Sequence, residues 1–334
     1  MILSYPLRVV CLALAAGFLL HLALTLSVRL LSPWLERRAA AWTPRAAARW
    51  VLAWRAAPFA LACAVTGGMV LPAYLRFEPA GHAEQVGTGF LLAAALGGAI
   101  CLLALARWSR AALALRRLEQ ECRRGGRDLA TTAGIPATVV SCDEPFVVLA
   151  GTRAPRVVLS RAAWQRLTPP QLEAALRHEA AHLTAGDRWR RGLLLLLPDP
   201  LPAWRGLRRC DQLWMRYSEW AADQAAAGDP WRALHLAEAL LAVGCGATSR
   251  APLGHPLGSL VSGLASDGQD LAARVNRLLA VPAAAGSVPA RAAASNGEAA
   301  WHWPAALVAL LTAAALLALP HAAALYPYLE RLVR

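Results

Sequence analysis

The chain has 334 residues, of which 57% are hydrophobic and 16% are charged, and its mean hydropathy is +0.40. A soluble domain of this length would carry about a quarter of charged residues, so the composition indicates a membrane protein. The net charge is +13, and the basic residues are all arginines that cluster beside apolar runs, which favours membrane orientation over nucleic-acid binding. Seven cysteines without a Cys-x-x-Cys pair argue against a disulfide framework and against a cysteine zinc site.

Three apolar runs near the N-terminus are long enough to cross about 30 Å of hydrocarbon. They cover residues 7–31, 56–75 and 87–106, and arginines crowd the stretches that follow the first and the third run. The positive-inside rule then predicts that the N-terminus lies outside and that everything after Ala106 is cytoplasmic. Residues 1–106 are therefore predicted to form three transmembrane helices with an Arg-rich cytoplasmic loop.

Residues 107–281 are predicted to form a cytoplasmic domain that contains both helices and strands. A basic helix continues from the third span to about Arg124. β-branched runs at 137–141, 145–150 and 156–159 predict a small sheet with a hairpin. A helix begins at Thr168-Pro169-Pro170 and ends at Gly186, and further helical patterns cover 207–227, 230–243 and 270–280.

Three further segments complete the predicted organisation. Residues 192–204 are apolar but short and interrupted by proline, so we expect them to dip into the membrane or to lie on its surface. Residues 282–303 are rich in Ala, Ser, Gly and Pro, which predicts a flexible linker. Residues 304–334 contain an apolar run of spanning length, which predicts a final transmembrane helix and a short tail.

The run Arg177-His178-Glu179-Ala180-Ala181-His182 lies inside the helix that ends at Gly186. Residues four apart share a helix face, so His178 and His182 can bind one metal ion, while Glu179 is placed to act on water without binding the metal. With only 8 histidines in the chain, an accidental match on a surface helix is the less favoured interpretation. The pattern predicts a catalytic zinc site, with one Zn²⁺ per chain.

A catalytic zinc site needs a third protein ligand, and the best candidate is Glu219. Asp223 lies one turn further on and can accept the second N–H of a ligand histidine. A solvated helix face is the alternative interpretation of these two carboxylates. If Glu219 and His178 share an ion, both lie on one side of the membrane, and residues 192–204 cannot cross it once.

The expected reaction is metal-assisted peptide hydrolysis. Zinc polarises the scissile carbonyl, and Glu179 moves a proton from water to the leaving nitrogen. The oxyanion needs a further donor, for which His235, His255 and Tyr217 are candidates by side-chain type alone. A substrate strand could add to the edge of the small sheet and be held extended.

In these motifs the chain resembles the BlaR/MecR-type integral membrane metallopeptidases, a family of β-lactam sensors and antirepressors. The likeness covers roughly residues 1–280. It includes the three-span N-terminal half, the run from Pro145-Phe146-Val147 to Pro155-Arg156-Val157-Val158-Leu159, the core from Leu172 to His182, Asp187, Glu219 with Asp223, and Arg274-Val275-Asn276-Arg277-Leu278-Leu279.

The resemblance implies a mostly α-helical membrane protein with a cytoplasmic α+β, gluzincin-like zinc domain in the bacterial inner membrane. It also implies that Asp187 supports a ligand histidine and that the protein cleaves a protein or peptide substrate, such as a helix-turn-helix repressor. Direct binding to nucleic acid is not expected; the other partner is the lipid bilayer.

Two departures keep other interpretations open. Ala222 stands where the family often has Cys, a variant that is closer to the HtpX-like membrane quality-control proteases, and His255-Pro256 is a faint match to the same group. Sensor members carry an extracellular domain after the last span, whereas this chain stops at Arg334, so a β-lactam receptor is not expected. A catalytically silent membrane scaffold or signalling protein is the alternative of another class; Glu179 argues against it, because a structural zinc site needs no base.

Overall fold

A computed structural model describes residues 3–78, 85–129, 135–151, 155–201, 207–244, 268–280, 327–328 and 331. Within these residues the chain is mostly helical, with a small mixed sheet and three helices that are long and apolar enough to span a membrane. This confirms the predicted mostly helical chain with a small sheet, and the three candidate spans are consistent with a membrane protein. The predicted linker and nearly all of the predicted final helix lie outside the described residues, as does His255.

The chain divides into two compact units. The first comprises residues 1–105, 197–214 and 294–334, and the second comprises residues 106–196 and 215–293.

The first unit is built on long helices. Helix α1 covers Tyr5–Ala40; α2 covers Pro44–Val65 and continues through a π-helical turn, Thr66–Val70, into α3, Leu71–Phe77; α4 covers Thr88–Gly125. The candidate spans, residues 5–40, 44–77 and 88–120, contain the first two predicted runs and all of the third except Gly87, and they extend beyond them. The extensions arise because the flanking Arg, Ala and Leu residues are good helix formers, although they are less apolar than the runs.

Small residues let the helices of the first unit approach closely. A Cβ built on Gly97 of α4 would lie 2.5 Å from the carbonyl oxygen of Leu14 in α1, so only glycine fits there. The segment after residue 196 joins this unit through Arg55 of α2, which donates to the Asp211 carboxylate at 2.8 Å and to the Leu197 carbonyl at 3.1 Å. Residues 197–201 are not helical, and no spanning helix is found there.

The second unit contains a four-stranded sheet. Its strands are β1, Arg127–Leu129; β2, Ala137–Val140; β3, Val147–Ala150; and β4, Arg156–Ser160, and their order is β1-β2-β4-β3. The predicted hairpin is β3 with β4, while β2 runs parallel to β4 and antiparallel to β1. Strand β1 was not predicted, because it is short and largely polar; pairing with β2 holds it in place.

Six helices follow the sheet within the described residues of the second unit. They are α5, Arg161–Arg166; α6, Pro169–Ala185; α7, Asp187–Leu196; α8, Arg208–Ala227, which begins in the first unit; α9, Pro230–Gly244; and α10, Gly268–Leu279. Helix α6 begins and ends as predicted: Thr168 and Gln171 form a capping box, and Gly186 adopts φ +72°. Helix α6 packs against α9 and β3, so its central residues are buried.

Candidate metal centre

Helix α6 contributes two imidazoles and a carboxyl group to one buried site. His178, Glu179 and His182 are all completely buried or nearly so. His178 and His182 lie one turn apart on the same face, and their Nε2 atoms are 3.1 Å apart. The structure therefore brings together the two histidines that the sequence predicts as ligands.

Helix α8 brings Glu219 to the same point. Its Oε2 atom lies 3.4 Å from His178 Nε2, and its Oε1 atom lies 3.5 Å from His182 Nε2. Glu219 and Asp223 are largely buried. The alternative of a solvated helix face is therefore wrong for both carboxylates.

These three side chains can hold a metal ion. Their candidate ligand atoms all lie within 4.8 Å of one another. Zinc binds nitrogen and oxygen at about 2.0–2.2 Å in tetrahedral sites, which places neighbouring ligand atoms about 3.3 Å apart. The two Nε2 atoms, 3.1 Å apart, are close to that spacing, and the Glu219 carboxylate faces both of them, with Oε2 3.4 Å from His178 Nε2 and Oε1 3.5 Å from His182 Nε2. The two imidazoles and one carboxylate are also a ligand set that leaves one tetrahedral position for water or substrate.

Each histidine has a carboxylate behind it. His178 Nδ1 lies 3.0 Å from Asp223 Oδ1, and His182 Nδ1 lies 2.8 Å from Asp187 Oδ2. When Nδ1–H is bonded to a carboxylate, as for His182 with Asp187, Nε2 is left unprotonated and the plane of the ring is fixed, which strengthens its donation to a metal. The structure thus places both predicted supporting residues next to the histidines.

Two arginines, for which the sequence analysis predicted no role, also enter the site. Arg274 of α10 donates Nε and Nη2 to the two oxygens of Asp223, at 2.8 and 2.7 Å, and its Nη1 lies 3.2 Å from Glu219 Oε2. Arg191 of α7 donates to Glu219 Oε1 at 2.9 Å. Both guanidinium groups are buried, so they balance part of the negative charge and hold Glu219 from two sides.

The neighbouring histidines and arginines shift the pKa values of Glu219 and Asp223. Burial would raise the pKa of Glu219, but His182 and Arg274 hold it well below its usual value. Burial would also raise the pKa of Asp223, and Arg274 and His178 lower it instead. Both groups are therefore charged at neutral pH, as a metal ligand and its supporting partner should be.

Glu179 behaves differently. Burial raises the pKa of its carboxyl group, and the charges of His178, His182 and Arg191 only partly oppose that effect. It does not belong to the group that could hold the metal ion. A carboxylate with a raised pKa beside such a group is a stronger base than an ordinary glutamate.

Of the three oxyanion candidates, His235 and Tyr217 lie in the described part of the chain. His235 Nδ1 lies 3.4 Å from Glu238, which accepts a hydrogen bond from Gln171. Gln171 is seven residues before His178 on α6, or about 10 Å along the helix axis. Tyr217 packs its ring against Trp220. His255 lies outside the described residues.

Comparison of the chain with protein-family models, with curated proteins and with solved structures gives no match. The function is therefore argued from the geometry of the site and from the sequence motifs.

Proposed function

We propose that the protein is a membrane-embedded zinc endopeptidase that cleaves protein substrates at the cytoplasmic face of a bacterial inner membrane. One observation carries the proposal: His178, His182 and Glu219 bring one ligand atom each to within 4.8 Å of one another, and two imidazoles with one carboxylate are the ligand set of catalytic zinc sites. A completely buried carboxyl group, Glu179, stands directly beside it. The positive-inside pattern of the arginines supports the cytoplasmic placement.

Zinc bound there would act as a Lewis acid that polarises a peptide carbonyl and acidifies water. The chain's own residues divide the remaining work. Glu179 accepts a proton from the attacking water and passes it to the leaving nitrogen. Asp223 and Asp187 orient the two imidazoles, and Arg274 and Arg191 hold Glu219 in place.

The resemblance to the BlaR/MecR-type metallopeptidases supports a regulatory role, with a helix-turn-helix repressor as the proposed substrate class. That resemblance rests on the His178–Glu179–His182 motif, on Glu219 with Asp223, and on the segment that carries Arg274. In this structure all of these residues meet in one site. The geometry of the site does not distinguish a repressor from a damaged membrane protein as the substrate.

The decisive experiment compares wild type with Glu179→Gln after purification in detergent. Zinc is quantified by mass spectrometry, and cleavage of a fluorescently labelled unfolded protein and of co-expressed candidate repressors is followed. We expect both proteins to contain one zinc per chain. We expect the variant to lose cleavage by about 10²–10⁴-fold, the usual contribution of a general base.

A matched control is Glu173→Gln, which changes a half-buried glutamate that lies six residues earlier on the same helix and pairs with Arg177. This variant should keep both zinc and activity. Stoichiometric zinc with equal cleavage by wild type and Glu179→Gln would refute the peptidase. Wild type without zinc would refute the metal centre.

A further inference from the structure

Helix α7, Asp187–Leu196, has its polar and apolar faces reversed relative to a helix on a water-soluble domain. The buried face carries Asp187, Arg191 and Leu194, and two of these three residues are charged. The opposite face carries Trp189, Leu193 and Leu196, which are 71%, 43% and 40% exposed. These three residues are spaced i, i+4 and i+7, so they form one continuous stripe.

The inward polar face is explained by the metal centre. Asp187 contacts His182, and Arg191 contacts Glu219. The outward apolar face has no such explanation within the described part of the chain. A large aromatic ring and two leucines on one helix face mark a surface that is covered by something apolar.

The neighbours of α7 indicate what covers this face. Arg107 of α4 donates to the Leu195 carbonyl at 3.4 Å, and a Cβ built on Gly192 would lie 3.9 Å from the indole nitrogen of Trp108. Arg107 is the first residue after the third predicted span, which ends at Ala106. Helix α7 therefore packs beside the point where α4 is predicted to leave the hydrocarbon.

The basic residues of α7 fit the same location. Arg188 lies over the Trp189 ring, 5.5 Å from its centroid, and Arg190 is also part of the helix. Tryptophan together with arginine is typical of the headgroup level of a membrane. A helix with Trp and Leu on one face and arginines beside it is the pattern of a helix that lies in the plane of the interface.

We infer that the outward face of α7, formed by Trp189, Leu193 and Leu196, is inserted into the lipid interface of the bilayer. The partner is the lipid itself, at the boundary between headgroups and acyl chains. Since the opposite face of the same helix holds His182 and Glu219 through Asp187 and Arg191, the metal centre lies within about one helix diameter, 10–12 Å, of the lipid.

The test introduces the photoreactive residue p-benzoylphenylalanine at Trp189, Leu193 or Leu196 in the full chain. Each variant is reconstituted in vesicles of phosphatidylethanolamine and phosphatidylglycerol and irradiated, and adducts are identified by mass spectrometry. Leu102, an exposed residue inside the third apolar run predicted from the sequence, residues 87–106, calibrates the yield of lipid adducts. Gln120, an exposed residue of α4 about 20 Å beyond Arg107 along the helix, is the negative control.

We expect lipid adducts at all three α7 positions, in yields comparable with Leu102, and none at Gln120. Lipid adducts at Leu102 alone would overturn the inference. Cross-links from the α7 positions to another polypeptide would also overturn it, because the face would then be a protein-docking surface. The readout needs neither zinc nor cleavage, so it stands apart from the proposed peptidase activity.

Discussion

The two units of this protein compensate their buried charges in two different ways. In the first unit, Arg8 is paired with Glu78 at 3.1 Å and Arg55 with Asp211 at 2.8 Å, so each buried guanidinium has a carboxylate. In the second unit, four carboxylates, those of Glu179, Asp187, Glu219 and Asp223, gather around two histidines. Two buried arginines, Arg191 and Arg274, face them.

The difference separates a structural role from a functional one. A pair of one buried cation and one buried anion has a net charge close to zero, so it needs no further ion. Such a pair contributes to orientation and packing. A group of four carboxylates with two buried guanidiniums carries an excess of negative charge, and burying that excess is costly unless a cation joins it. Either two imidazolium protons or one divalent ion restores the balance. The buried charges alone therefore fit either state, and the metal centre is inferred from the three candidate ligands.

The largest predicted effect is the loss of bound zinc when one candidate ligand is removed. Glu219→Ala should reduce bound zinc to background, because the variant loses one of three ligands and leaves Arg191 and Arg274 facing the cation without the carboxylate between them. The loss of affinity should exceed the roughly 10–100-fold that removal of a supporting residue costs. Zinc content after dialysis measures it. A variant that retains one zinc per chain would show that Glu219 is not a ligand.

Breaking the Arg8–Glu78 ion pair of the first unit should change stability and leave zinc content unchanged. Glu78→Gln leaves Arg8 buried beside a neutral side chain, which should lower the free energy of unfolding by about 3–5 kcal/mol while zinc content stays unchanged. Titration with SDS in mixed micelles measures the stability. The double variant Arg8→Met with Glu78→Leu should recover most of the loss, because it removes both charges. If Glu78→Gln lowered zinc content without affecting stability, the proposed division of roles would be wrong.

Local sequence patterns predicted much of the fold and part of the site. The spacing of His178 and His182, and of Glu219 and Asp223, follows from the helical repeat, so these pairs could be identified without a structure. Arg191 and Arg274 could not be assigned, because each meets Glu219 from another helix and no local spacing records that contact. The carboxylates themselves were a usable signal, since several buried acids require buried cations.

Contacts between residues far apart in the sequence also determine features of α7 and β1 that local sequence patterns could not predict. The apolar segment after residue 192 was visible in the sequence, but the direction of Trp189 was not. Which face of a helix is buried depends on the elements that pack against it. Strand β1 exists through its pairing with β2, and three mostly polar residues give no strand pattern by themselves.

A smaller effect is predicted for the residues behind the histidines. Asp187→Asn and Asp223→Asn should each weaken zinc binding by about 10–100-fold, because an amide supports the ligand imidazole less well than a carboxylate. Asp223→Asn should be the more severe change, since Arg274 also loses its two-point contact. Competition with a chromogenic chelator measures both affinities. Equal affinity for wild type and both variants would contradict the supporting role.

The dependence of zinc affinity on pH is the smallest of the predicted effects, and it tests the comparison between the buried charges of the two units. Burial would lower the pKa of His182, but Glu219 and Asp187 raise it to about 10, and contacts with Asp223 and Glu219 raise the pKa of His178 against the effect of burial. In the metal-free protein the His182 imidazole is therefore positively charged at neutral pH, and zinc has to displace a proton from it. Affinity should rise about tenfold per pH unit for each displaced proton.

The stability of the metal-free protein should change in the opposite direction. A folded pKa above the unfolded value of 6.5 means that the imidazolium stabilises the fold fully below pH 6.5 and loses that contribution as the pH rises towards 10. The ion pairs of the first unit rest on arginine, which stays charged throughout this range. Unfolding and zinc titrations between about pH 6 and pH 9 should therefore show lower metal-free stability together with tighter zinc binding at high pH. A zinc affinity that stays constant across this range would mean that the histidines are neutral before the metal binds, and that another cation balances the four carboxylates.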